Sequence, residues 1–152
     1  MQRRDLKLTS YADCRAELER LAGGCEPLAN WTLGGTCLHL SFFVRGSLDG
    51  FGDLRISPVI QWLVGKPLLA YINWTGRMPG GLPTVPEAEP GQEIDEAAAV
   101  DELRELLDRI EGHPGPLAPS PLAGRLRPSG WEKLHVAHCQ HHFGLLRPTG
   151  GD

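Results

Sequence analysis

The chain has no Cys-x-x-Cys pair: its four cysteines, Cys14, Cys25, Cys37 and Cys139, are scattered through 152 residues. That spacing implies neither a zinc knuckle nor a disulfide framework, so free or buried thiols in a reducing compartment are expected. The chain also lacks a Lys/Arg block. With 15 basic residues against 19 acidic ones and a net charge of -4, it is not built to grip a phosphate backbone, and no nucleic-acid partner is expected. The longest apolar stretch, Ile56 to Ile72, is broken by Gln61, Gly65, Lys66 and Pro67 and cannot span a bilayer, so no membrane partner is expected either. Arg3-Arg4 is followed by Asp5 and Lys7 where a secretion leader would need an apolar run, which makes the cytoplasm the expected location. No Ser-His-Asp order and no Walker loop occur, and Gly34-Gly35 lacks the preceding strand that a dinucleotide fingerprint needs.

What is present reads as one globular domain over residues 1–152, with 41% hydrophobic and 22% charged residues. Strand signal is scarce. The first helix is predicted from about Tyr11 to Leu21, with Ser10 as its N-cap and Gly23-Gly24 as its stop. The second runs from Thr32, its cap, to about Leu48. Leu33, Cys37, Leu40, Val44 and Leu48 recur at helical steps, and Leu38, Phe42 and Phe43 make other sides apolar too. Ser57-Pro58 opens a short extra helix to about Val64. Met78 to Gly91 is a Pro/Gly-rich connection. The third long helix, Glu96 to Glu111, is capped by Asp95 and carries a stripe of Ala97, Val100, Leu103, Leu107 and Ile110. The last runs from about Gly130 to Leu146, with Ser129 and Glu132 as a capping box. The expected fold is all-α, a four-helix bundle with a crossover between the second and third long helices plus a short extra helix.

Four of the six histidines crowd into the last helix. On a wheel of about 100° per residue, His138 and His142 fall in the centre of the apolar stripe, with His135 and His141 on opposite shoulders. Imidazoles at i and i+4 can close on one ion, although a buried histidine is as often only a hydrogen-bonded core residue. His39, inside the apolar second helix, is the third candidate ligand. Three neutral imidazoles are costly to bury without partners, and one shared divalent ion satisfies all of them. His113, in His-Pro-Gly-Pro, reads as a loop residue.

The pattern Asn30-Trp31-Thr32-Leu33-Gly34 followed by His39-Leu40, with Trp131-Glu132-x-x-His135-x-x-His138-x-x-x-His142 near the C-terminus, resembles the DinB/YfiT-like superfamily, and within it a branch of unknown function. The resemblance implies a four-helix bundle, commonly dimeric, with one metal-ligating histidine from the second helix, matching His39, and a pair from the last, matching His138 and His142. It also implies metal-dependent transferases or isomerases that use a low-molecular-weight thiol. Where such proteins commonly carry a glutamine in the first turn of the second helix, this chain has Gly35.

Three protein ligands leave a coordination position open, as catalytic sites do. The expected function is therefore a metal-dependent enzyme, a thiol-dependent transferase or a hydrolase acting on a small molecule. Its cofactor would be one divalent ion, zinc or nickel ahead of iron and others. The alternatives are a non-catalytic small-ligand-binding protein and a metal-stabilised structural bundle. The Met78–Gly91 connection is expected to roof a pocket at the ion, with Trp74 as an apolar wall. Leu106, off the main stripe of its helix, and the many apolar sides of the second helix lead to the expectation of a two-fold homodimer.

Overall fold

The structure, a computed structural model, describes residues 2–150. It is predominantly helical. Helix α1 is Tyr11–Ala22, and the Ser10 hydroxyl accepts from the Asp13 amide at its start. Helix α2 is Leu33–Asp49. Thr32 caps it by accepting from Gly35 N–H, and Glu96 adds a second acceptor for the Gly34 amide. That contact explains Gly34: a Cβ there would lie 2.8 Å from Ile94 and 3.1 Å from Glu96. The bare backbone lets the entry to helix α4 (Glu96–Glu111) pack against the start of α2. Helix α5 is Pro128–Phe143.

Helices α1, α2, α4 and α5 enclose one core, in which Leu18, Leu21, Cys37, Leu103, Leu107 and Phe143 lose all exposure. The α4 stripe differs from the predicted one at its ends. Ala99 is buried and Ala97 exposed, and Leu106 lies in the core at 6% exposure. Leu106 is thus occupied within its own chain and offers nothing to a partner.

Three predicted boundaries need correction. Residues 58–75 form one helical run, α3, rather than a short helix ending near Val64. It consists of Pro58–Ile60, a π-helical stretch Gln61–Gly65 and Lys66–Thr75. The apparent break at Gly65-Lys66-Pro67 is accommodated by that stretch. The Lys66 amide donates to the Gln61 carbonyl five residues back, widening the helix just where Pro67 would otherwise crowd the preceding turn. Helix α5 begins at Pro128, so Ser129 sits inside its first turn and does not cap it. It ends at Phe143 because residues 146–148 leave the helix to pair in a sheet.

That sheet is the departure from an all-α fold. Cys25–Pro27 (β1) pairs antiparallel with Leu146–Pro148 (β2), Glu26 opposite Arg147. With only two strands, both are edges, so the prolines remove no interior hydrogen bond. The chain start is fastened nearby: the Arg4 amide donates to the Gly144 carbonyl, and its guanidinium reaches the Phe143 and Leu146 carbonyls and Glu17. This strapping holds the C-terminal turn of α5, which carries His141 and His142, against α1.

Candidate metal centre

Helix α2 supplies His39 and helix α5 supplies His138 and His142, and their rings meet between the two helices. The Nε2 atoms of His39 and His138 are 3.0 Å apart, and those of His142 and His138 3.1 Å. One ligand atom from each of the three lies within 4.8 Å of the other two. Tetrahedral coordination at ~2.0–2.1 Å sets its nitrogens ~3.4 Å apart, close to both of those Nε2 separations.

The tautomer of His39 follows from its second nitrogen. Nδ1 lies 2.9 Å from the Ala88 carbonyl, which can only accept, so Nδ1 carries the proton and Nε2 presents a lone pair to the cluster. Ligating histidines are usually held in this way, through a backbone carbonyl on the far nitrogen. Burial lowers the pKa of His39, pushes His138 well below the usual range, and takes His142 down to about 2. All three rings are therefore neutral near pH 7, the state in which imidazole donates to a metal. A set of lone-pair donors aimed at one point, with too few protons to satisfy each other, fits a divalent cation.

Aromatic rings wall the site. Trp31 stacks on His142 at 5.4 Å between ring centres and leans on His39 at 4.8 Å. Phe43 meets His39 and His138 edge-on at 5.2 and 4.9 Å. The connection after Met78 reaches the site through the turn Pro86–Ala88, whose Ala88 carbonyl orients His39. Trp74, expected as a wall, is instead 86% exposed. His141 stands outside the cluster, edge-on to His142 at 4.9 Å.

The other histidine on the shoulder of the stripe has a different partner. His135 is buried, stacks on Trp131 at 4.8 Å, and places Nδ1 3.0 Å from the Tyr11 hydroxyl. Cys139 and Cys37 are buried; burial raises the Cys37 thiol, and a hydrogen bond with Cys14 together with burial raises that of Cys139, and neither belongs to the histidine group. The four cysteines are free. Sequence reasoning singled out the three histidines that the structure brings together but missed Phe43 and the Ala88 carbonyl as their neighbours.

Burial of His135 sets an acid sensitivity. Its pKa is pushed down to about 3, whereas an unfolded histidine titrates near 6.5. Between those values the unfolded chain binds a proton that the folded one refuses. Its stabilising contribution is therefore fully present above pH 6.5 and lost as pH falls towards 3. In chelator-treated protein, His135 alone is expected to cost about 1 kcal/mol between pH 7 and 5.5. The urea midpoint should drop over that interval, and His135→Gln should make the drop shallower. An unchanged slope in the variant would place the acid sensitivity elsewhere.

Among the described residues, no helix is long and apolar enough to cross a membrane. A family model described as "Protein of unknown function (DUF1569)" matches residues 1–149. Comparison with curated proteins and with solved structures gives no match.

Proposed function

The chain thus belongs to the DUF1569 family, whose description assigns no activity, and from the site itself we propose that it is a metal-dependent enzyme acting on a small molecule. One divalent ion, zinc or nickel first, would be held by Nε2 of His39, His138 and His142. The observation that carries this reading is the convergence of three Nε2 atoms from two helices, with His39 fixed in the tautomer that leaves its Nε2 free to donate. Such an ion would lower the pKa of a bound water or thiol and polarise an electrophile.

The chain's own residues do the rest. The Ala88 carbonyl sets the angle of His39, while Trp31 and Phe43 pack against the flanks of the ligand rings and fix their positions. Three ligands leave room for a fourth partner from outside the protein. The likeness to the DinB/YfiT-like proteins, which brings with it a four-helix bundle of α1, α2, α4 and α5 with α3 in the crossover, favours a thiol-dependent transferase over a hydrolase. Four free cysteines suit a reducing compartment such as the cytoplasm, where low-molecular-weight thiols are reduced.

The test is spectroscopic and needs no substrate. Cobalt(II) in place of the native ion should give a visible spectrum that shifts when azide or a small thiol such as 2-mercaptoethanol is added. The thiol should also introduce a sulfur-to-cobalt charge-transfer band. A cobalt spectrum indifferent to both additions would mean a closed shell, and the site would then be structural rather than catalytic.

A further inference from the structure

Beside the last turn of α5, the chain start and the segment after α3 enclose a cavity of about 400 Å³. Three guanidiniums line it, those of Arg3, Arg4 and Arg77, in a chain whose net charge is -4. Each is held there by local structure. Arg4 is fastened to Glu17 and to the Phe143 carbonyl. Arg77 follows the left-handed Gly76 that ends α3, and it pairs with Asp5 at 2.6 Å. Arg3 lies across the last turn of α5, donating from Nη2 to the Gln140 carbonyl at 3.3 Å. Gly144 leaves it room, since a Cβ there would stand 3.0 Å from Arg3 Nε.

The cavity holds more donors than acceptors. Glu17 neutralises Arg4 and Asp5 neutralises Arg77, but among the described residues no carboxylate pairs with Arg3. A guanidinium has about five N–H donors, and Arg3 commits one of them. The Tyr71 hydroxyl also lines the cavity and makes no hydrogen bond among the described residues. Gln140, by contrast, is spent: its side chain accepts from the Leu8 amide and donates to the Gly76 carbonyl. Partial burial and the nearby Arg77 charge lower the pKa of Arg3, as expected of a guanidinium beside a like charge with no anion of its own. Half-buried Leu6, Met78 and Pro79 supply an apolar side.

We propose that this cavity binds a small organic carboxylate, its oxygens on the Arg3 guanidinium and the Tyr71 hydroxyl and its apolar body against Leu6, Met78 and Pro79. The planar fork of Arg3 matches the two oxygens of a carboxylate. One negative charge cancels the one uncompensated guanidinium. A phosphate dianion would leave charge in excess and has no apolar body to cover the remaining wall. The cavity falls in the ~300–1,000 Å³ range of pockets that enclose small molecules. None of His39, His138 and His142 lines it, so the site does not depend on the metal centre.

The probe is benzoate, titrated into nitrogen-15-labelled protein treated with chelator, so that no metal ion competes for it. In amide correlation spectra the signals of Arg3, Leu6, Arg77 and Gly80 should move together, with half-saturation at about 1–5 mM. Arg3→Gln should weaken benzoate binding at least about tenfold. Arg3→Lys keeps the charge without the fork and should recover only part of that loss. Tyr71→Phe should cost about threefold to fivefold, and Lys133→Gln, at an exposed position on α5, should cost nothing. Arg3 and Tyr71 are exposed, so the rest of each variant's spectrum should match wild type. Signals that stay in place up to about 20 mM benzoate would overturn the proposal, and so would equal affinity in wild type and Arg3→Gln. Inorganic phosphate that moves the same signals at lower concentration than benzoate would overturn it too, and would assign the cavity to phosphate.

Discussion

His138→Ala is expected to lower affinity for Zn²⁺ about 10³-fold, whereas His141→Ala should leave it within about threefold of wild type. His138 is the middle ring of the cluster: its Nε2 is the atom that both His39 and His142 approach, at 3.0 and 3.1 Å. Structural zinc sites bind with roughly 10–16 kcal/mol in total, so one ligand among four partners accounts for about 3–4 kcal/mol, or 10²–10³ in affinity. His138 takes the upper end because its loss also separates the remaining pair. His141 is three residues further along the same helix and touches only the flank of His142. His39→Ala should behave like His138→Ala although it lies 99 residues away in sequence. That third comparison separates a built site from a histidine-rich tract that merely adsorbs cations. A tract would lose affinity equally at His138 and His141 and none at His39. Isothermal titration of untagged protein with Zn²⁺ gives all three numbers.

Trp131→Ala is expected to cost about 3–5 kcal/mol of stability, a large share of the ~5–15 kcal/mol typical of a domain. Trp131 is only 1% exposed, stacks on Phe51 at 6.2 Å and His135 at 4.8 Å, and donates Nε1–H to the Ala118 carbonyl at 3.0 Å. Truncation would open a large cavity and leave that carbonyl short of a donor, loosening the proline-rich loop that Ala118 also ties to Ser47. For a chain of this length the loss corresponds to roughly 10 °C in Tm. Trp74→Ala, with 86% of the side chain already in solvent, should stay within ~0.5 kcal/mol. Urea unfolding of the two variants side by side measures the contrast. Similar losses in both would mean that the core is not centred where Trp131 places it.

The two variants also show why parts of the fold were legible and others were not. Helices α1, α2 and α4 announce themselves through Ser10, Thr32 and Asp95 at their starts and through apolar steps of three and four. Such signals are local, and the structure places those caps as read. The strands Cys25–Pro27 and Leu146–Pro148 are three residues each and contain proline, too short for alternation to register. What fixes them is each other, across most of the chain's length. Gly65-Lys66-Pro67 reads as a stop, and only the π-helical widening before it carries the helix through. Ser129 with Glu132 matches a capping box, yet Pro128, with φ fixed and no amide hydrogen to lose, makes the better first residue.

At the site, the wheel placed His138 and His142 on one face because helical geometry is periodic, and His39 stood out as a polar residue in an apolar segment. The structure brings those three together. The Ala88 carbonyl could not be read in advance, because it comes from an irregular turn 49 residues from His39. Phe43 and Trp31 were visible only as apolar residues. Their faces against the rings depend on how two helices cross, which no single segment encodes.

The most direct measurement is a crystal structure of untagged protein purified without added metal, with anomalous data collected on both sides of the zinc and nickel edges and elemental analysis of the same batch. The expected result is about one ion per chain and a single anomalous peak ~2.0–2.1 Å from Nε2 of His39, His138 and His142. Metal far below one equivalent, or a peak bound elsewhere while the three Nε2 atoms hydrogen-bond only to each other, would contradict the metal centre.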